Sequence, residues 1–182
     1  MKTTAISLLA AAVFSFSGCS KSSSDPQPAQ PNPTGYISEI KATVGSSSFS
    51  ATTINNVAGT HATLTTPGEA PARLILRGNV GNNRIILTVS QFTGAGTYTL
   101  VPQGPSLATY YENFPSDPIY STQHMPGTAA VGQVVVSTWN PAAKRAKGTF
   151  SFSGRVRNAG GTFGATQAVT AGTFDVYDIL IF

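Results

Sequence analysis

The chain has one cysteine in 182 residues and few charged side chains, with 11 lysines and arginines and seven aspartates and glutamates. A lone cysteine excludes an internal disulfide framework. The charged fraction is 10%, against ~25% in average soluble domains, so a coiled coil or a wholly disordered chain is a poor fit. The net charge of +4 is too small to favour a nucleic acid as partner.

Signatures of common catalytic and metal-binding sites are missing as well. His61 and His124 lie in different segments and form no HxH or HExxH pattern, and Glu112 and Asp117 do not match an EF-hand loop. No GxSxG, P-loop or dinucleotide-binding glycine motif occurs. A spatial Ser–His–Asp triad stays open, because residue types do not reveal it. We expect a protein that is not an enzyme and that needs no metal or cofactor.

Residues 1–18 have the pattern of a secretory signal. Lys2 precedes Ala5–Phe16, twelve residues without a charge, which is too short to span a bilayer. Two small residues then lead directly to Cys19. This ending resembles the lipobox of bacterial lipoproteins, and the resemblance implies cleavage before Cys19, its lipidation and an outer-membrane location. An ordinary cleaved signal with an incidental cysteine is the alternative.

The next segment has the composition of a tether. Ser20–Thr34 is rich in serine, contains four prolines and has no large apolar side chain. Such a segment cannot bury a core and favours an extended conformation. We therefore divide the chain into a signal peptide (1–18), a lipidated cysteine with a Pro/Ser-rich tether (19–34) and a single β domain (35–182).

The domain is predicted to be all-β. Short runs of Val, Ile, Thr, Phe and Tyr alternate with Gly, Pro and Asn from Gly35 onwards. The clearest hairpin is Gly132–Val156, in which Phe150 and Phe152 share one face. About nine or ten strands are consistent with an antiparallel β-sandwich or an irregular β-barrel, between which the sequence does not choose. A last strand over Gly172–Phe182 ends in ILIF, so we expect it to be central or well covered.

Five different short motifs follow one another between Ser47 and Val176. They are GTYTL at 96–100, ATY at 108–110, GQVVVST at 132–138, GTFSF at 148–152 and VTAGTF at 169–174. Their order resembles a lipid-anchored, β-rich envelope domain of unknown function found widely in Bacteroidota. The resemblance implies a β domain at the cell envelope, and it implies no activity.

A stretch with five prolines, Val101–Val131, is predicted to be a long loop. Its aromatic side chains lie close to acidic ones, and exposed rings of this kind form a platform for a glycan, a peptide or a protein. The alternative is that the first tyrosine belongs to a strand and the other rings pin the loop onto the domain. The candidate ligand-binding residues are Tyr110, Tyr111, Glu112, Phe114, Asp117 and Tyr120.

A second candidate surface is basic. Five cations fall within Lys144–Arg157, and the four odd-numbered ones have the opposite phase to Phe150 and Phe152. They are predicted to share the outer strand face and to contact lipid headgroups, lipopolysaccharide phosphate or an acidic partner. The alternative is a solvated face whose charges discourage edge pairing. This basic patch consists of Arg145, Lys147, Arg155 and Arg157.

The combined expectation is a non-catalytic envelope lipoprotein that binds or adheres to a glycan, peptide or protein. Its partners would be the membrane, through the lipid anchor, and a glycan or envelope protein, but no nucleic acid. The alternative is a structural accessory subunit of an outer-membrane protein complex.

Overall fold

A computed structural model describes residues 36–54, 60–65, 72–158 and 160–182. The predicted signal, Cys19 and tether lie outside the described residues. The described part of the chain forms β-strands and a single-turn 3-10 helix at Thr122–His124, with no α-helix, which confirms the all-β prediction. No helix in this part is long and apolar enough to cross a membrane. The strands are β1 (Ile37–Val44), β2 (Ser47–Ile54), β3 (Thr60–Thr65), β4 (Arg73–Val80), β5 (Asn83–Ser90), β6 (Gly96–Leu100), β7 (Leu107–Asn113), β8 (Ser116–Ser121), β9 (Gly132–Asn140), β10 (Arg145–Arg157), β11 (Phe163–Val176) and β12 (Leu180–Ile181).

These strands form one sheet, whose main order is β12-β3-β4-β5-β7-β8-β10-β11-β1-β2. Strand β10 contacts three neighbours. One edge pairs with β11, while the other pairs with β9 over Arg145–Phe152 and with β8 at Arg155 and Val156. The sheet therefore branches at β10, because β9 leads away to β6. All pairings are antiparallel except the one between β12 and β3.

The two ends of this sheet face each other across one core. Gly78 of β4 lies against β1 and β2, and a Cβ placed on it would be 3.1 Å from the Cβ of Ala51 and 3.2 Å from the Cβ of Ile40. Strands β4 and β2 stand far apart in the strand order, so the sheet must curl to bring them together. The result is a half-barrel whose inner face carries fully buried side chains from both ends, among them Ile40, Leu74, Leu76, Leu87, Phe174 and Val176.

A β-bulge bends the sheet beside this core. Strand β11 advances three residues, from Gly172 to Val169, while its partner β10 advances only two, from Phe150 to Phe152. Strand β11 has the same one-residue excess in its pairing with β1. Ala171 sits in the bulge with a left-handed φ of 50°. Bulges of this kind bend a strand and increase its twist. Because β11 is hydrogen-bonded to β10 on one edge and to β1 on the other, both neighbouring strands bend with it.

Two predictions differ from the observed fold. The first concerns Val101–Val131, which contains the hairpin β7–β8 rather than only a loop. Tyr110 is buried in β7, whereas the next residue, Tyr111, is half-buried. Successive side chains of a strand point to opposite faces, so the aromatic cluster is divided between the two faces of the hairpin. Pro115 lies in the turn and Pro118 in a strand that is only six residues long, so the prolines limit the strand without preventing it.

The second difference concerns the C-terminus. Strand β11 ends at Val176, and Asp178 then takes a left-handed φ of 55°. This turn carries the chain across to β3, with which Leu180 and Ile181 pair as β12. Ile179 is fully buried, but Leu180 is 50% exposed and Phe182 is 71% exposed. The apolar end is therefore a short edge strand and was wrongly predicted to be covered.

The bulge makes Gly172→Ala a test of the fold. A Cβ at Gly172 would lie 2.5 Å from the backbone oxygen of Phe150 and 2.7 Å from carbons of its ring. We expect this substitution to lower the free energy of unfolding by about 1–3 kcal/mol, because a tightly packed region must shift. Gly160→Ala is the matched control, since no atom lies within 4 Å of its Cβ position. Urea unfolding with equal loss for both variants would contradict the described packing at the bulge.

Candidate functional site

Two turns lie side by side at one end of the sheet. The backbone N–H of Phe114, in the β7–β8 turn, donates to the carbonyl oxygen of Asn82, in the β4–β5 turn, with 2.6 Å between the atoms. The side-chain amide of Asn82 also donates to Oδ1 of Asn113 at 3.1 Å. These two bonds fix the tip of the β7–β8 hairpin against β5.

Strand register places a row of side chains on the outer face beside these turns. Arg84 is opposite Tyr111, and Tyr111 is opposite Ile119. Directly opposed residues share a face of a sheet. Ile85 of β5 is fully buried on the inner face, so Arg84, Tyr111 and Ile119 face outward.

Arginine and aromatic side chains form a cluster on this outer face. The guanidinium carbon of Arg84 lies 3.4 Å from the centroid of the Phe114 ring. Tyr111 meets Phe114 edge to face, with 5.3 Å between ring centroids. A guanidinium stacked on a ring keeps its N–H donors in its own plane. We call Asn82, Arg84, Tyr111, Asn113 and Phe114 the hairpin site.

Other predicted platform residues lie on the opposite side of the same hairpin. Tyr110 is only 6% exposed and belongs to the core. Tyr120 stacks on it, with 6.0 Å between ring centroids. The Tyr120 hydroxyl donates to Oε2 of the exposed Glu112 at 3.4 Å. Five of the six predicted residues are therefore divided between two faces, and the side chain of the sixth, Asp117, lies outside the described residues.

Burial is the first cause that raises the pKa of both tyrosines on this inner side. The negative charge of Glu112 adds to the effect for Tyr110, and for Tyr120 it is joined by the hydrogen bond to Glu112. Both causes favour the neutral phenol. Glu112 is thus held at the strand end by a contact with the inner tyrosines, separate from the outer cluster.

A second arginine–aromatic stack lies on the outer face of β10. Arg155 is opposite Ser121 of β8, and its guanidinium carbon is 5.3 Å from the centroid of the Phe163 ring. Its Nε donates to the carbonyl oxygen of Gly164 at 3.1 Å. Nδ1 of His124 lies 3.0 Å from the carbonyl oxygen of Arg155, beside the same ring. Phe163 remains 48% exposed.

The predicted basic patch separates into two parts along β10. Arg145 and Lys147 lie near one end and Arg155 and Arg157 near the other. Lys147 and Arg155 are eight residues apart, which corresponds to roughly 26 Å along a strand. The alternation of buried and less buried residues along β10 indicates that all four side chains face outward. The two pairs are too far apart along the strand to form a single patch.

Arg145 has a structural contact of its own. Its Nε and Nη2 donate to the two carboxylate oxygens of Asp175 at 2.8 and 2.7 Å. The hydrogen bond to Asp175 raises the pKa of the Arg145 guanidinium, which also lies 4.7 Å from the centroid of the Tyr177 ring. This ion pair joins β10 to β11 and is best explained as a brace between the two strands.

Sequence reasoning missed Arg84. Its phase is opposite to that of Ile85 and Leu87, which indicates an outward side chain, but nothing local reveals that β5 pairs with β7. The described residues contain no group of three or more His, Cys, Asp or Glu that could hold a metal ion.

A family model described as "Domain of unknown function (DUF6252)" matches residues 38–175. The match covers more than half of the chain, so the chain belongs to this family. No curated protein and no solved structure matches the chain.

The raised tyrosine pKa values predict how stability changes in alkali. A phenol whose pKa is raised in the folded state stabilises the fold fully below the unfolded value of 10.0. That stability is lost as pH rises through the folded pKa. Glu112→Gln removes the nearby charge, so we expect phenolate absorbance to appear at lower pH and the alkaline loss of stability to shrink. Glu39→Gln, whose carboxylate pairs with Lys41, is the control; equal effects of both changes would contradict this contact.

Proposed function

We propose that this member of the DUF6252 family is a non-catalytic binding module of the bacterial cell envelope, anchored to the outer membrane by lipid, which holds a glycan at the hairpin site. The observation that carries the proposal is the stack of Arg84 on Phe114, 3.4 Å from guanidinium carbon to ring centroid. It stands beside the hydrogen-bonded amides of Asn82 and Asn113. Rings with adjacent polar donors and acceptors suit a ligand that has both apolar faces and hydroxyl groups.

The location of the cluster supports a binding role better than a packing role. Leu87 and Ile85, on the inner face of the same strand, are fully buried, whereas Arg84 and Tyr111 lie half-buried on the outer face and Asn113 is exposed. The cluster is also held in place by one backbone hydrogen bond and one side-chain hydrogen bond between two turns. Side chains fixed in this way lose little conformational freedom when a ligand binds.

Membrane attachment through Cys19 is the second part of the proposal. The support comes from the sequence, in which a short apolar segment leads to the single cysteine of the chain. Two or more acyl chains hold a protein durably, since each buried CH₂ contributes ~0.8 kcal/mol. The tether would then separate the β domain from the lipid surface.

An accessory role in a larger envelope complex is the alternative. It is favoured by the edge strand β12, whose Leu180 and Ile181 are about half exposed, and by Phe182 beside them. Exposed apolar edges are sites where a second protein adds a strand. Mild crosslinking in intact cells would recover one defined partner, and a Leu180→Lys change would abolish that product.

Thermal unfolding with a panel of oligosaccharides tests the binding role. A ligand at about 100 times its dissociation constant should add about 2.7 kcal/mol to stability. We expect the double variant Tyr111→Ala, Phe114→Ala to lose this increase. Tyr36→Ala removes an exposed ring outside the site and should keep it. A panel with no effect, or an effect that survives the double variant, would refute binding at the hairpin site.

Metabolic labelling tests the anchor. We expect the wild-type protein to incorporate a clickable fatty acid and to lose residues 1–18, because the thiol of Cys19 is the acylation site. Cys19→Ser should remove the label and the protein should no longer fractionate with membranes. An intact mass that places the mature N-terminus elsewhere, without added lipid, would contradict lipidation.

A further inference from the structure

We propose that the glycan held by this domain is acidic, and that Arg84 and Arg155 bind its sugar carboxylates on the outer face of β5, β7, β8 and β10. This inference rests on the proposed function and names the ligand class. Two arginine–phenylalanine stacks on one sheet face carry it.

The first stack presents Arg84 for bidentate binding. The guanidinium lies over the Phe114 ring, and Asn79, opposite Arg84 on β4, accepts a hydrogen bond from its Nε. With Nε engaged, the terminal N–H groups are the remaining donors of Arg84. A planar fork of this kind matches the two oxygens of a carboxylate.

The second arginine has the same two kinds of contact, with a longer distance of 5.3 Å from guanidinium carbon to ring centroid. Arg155 lies over Phe163, and the Gly164 carbonyl oxygen accepts from its Nε. The terminal nitrogens of Arg155 are again the remaining donors. Each guanidinium is thus braced by a ring and by one acceptor at Nε, which reduces the entropy lost when an anion is bound.

Their separation suits an extended ligand. Strands β7 and β8 lie between β5 and β10, so the two arginine-bearing strands are about 14 Å apart. Tyr111 and Ile119 occupy the surface between them and offer an apolar contact to sugar rings. Arg157, exposed at the end of β10, adds a cation to this face.

Charge complementarity favours an anionic ligand. Within the described ranges the ion pairs join Lys41 to Glu39 on β1 and Arg145 to Asp175 at the opposite end of β10 from Arg155, so neither involves Arg84 or Arg155. Glu112 faces the inner side and contacts Tyr120. The small net charge of +4 gives a weak overall field, so local arginine geometry, rather than general attraction to an anionic surface, selects the ligand.

The test uses the purified full chain and two forms of one polymer. Polygalacturonate carries a carboxylate on each sugar, and its methyl ester keeps the sugars but removes the charge. We expect calorimetry to show at least about tenfold tighter binding of the acidic form. Arg84→Lys and Arg155→Lys keep the positive charge but lose the planar fork, and each should weaken binding about tenfold. Lys147→Ala, on the same strand and face, should change it by less than twofold.

Each contrary result has a distinct meaning. Equal binding of both polymers would overturn the acidic ligand while leaving the hairpin site as a glycan site. A clear loss in Lys147→Ala with little change in Arg84→Lys and Arg155→Lys would show general charge attraction and overturn the role of the two arginines. Tight binding to anionic vesicles without binding to polygalacturonate would replace the glycan by a lipid surface. If no oligosaccharide binds at all, the proposed function fails together with this inference.

Discussion

The bend at the bulge in β11 is the constraint on which the rest of the fold depends. A single sheet has one apolar face, and this face can be buried only if the sheet folds over itself. Ala171, left-handed in the middle of a strand paired on both edges, bends β10, β11 and β1 together. Gly78 lets the opposite end of the sheet approach within van der Waals distance of Ile40 and Ala51. One core then serves strands that are far apart in the sheet order.

The same curvature explains where a ligand can bind. Because the inner face is occupied by the core, contacts with other molecules fall to the turns and to the outer face. Two turns meet at the hairpin site through the Phe114–Asn82 hydrogen bond, and the register from β5 to β10 aligns Arg84 and Arg155 on the outer side. A rigid sheet holds these side chains at fixed spacing, which favours recognition of an extended ligand over chemistry on a small one.

The all-β class of the fold could be predicted from the sequence, because it depends on the local alternation of apolar and polar residues along each strand. The hairpins β4–β5 and β9–β10 pair neighbouring segments and carry their own turns. The outward phase of the β10 cations was also correct, because no bulge lies in β10 itself. Contacts between distant segments could not be predicted. Asp175, for example, binds Arg145 although the two residues are 30 positions apart in the sequence. Arg84 likewise contacts Phe114 from a distant part of the sequence, so this one of the three clustered side chains was missed. Tyr110 was included although it lies in the core.

The most direct test of the central claim is to observe the arginine side chains while a ligand binds. Nuclear magnetic resonance of the Nε–H groups in the full chain, titrated with an oligogalacturonate, follows each arginine separately. The account predicts that the signals of Arg84 and Arg155 shift and saturate together, while that of Arg145, bound to Asp175, stays in place. Shifts centred on Arg145, or spread evenly over the arginines, would show that the outer face of the β7–β8 hairpin is not the binding site.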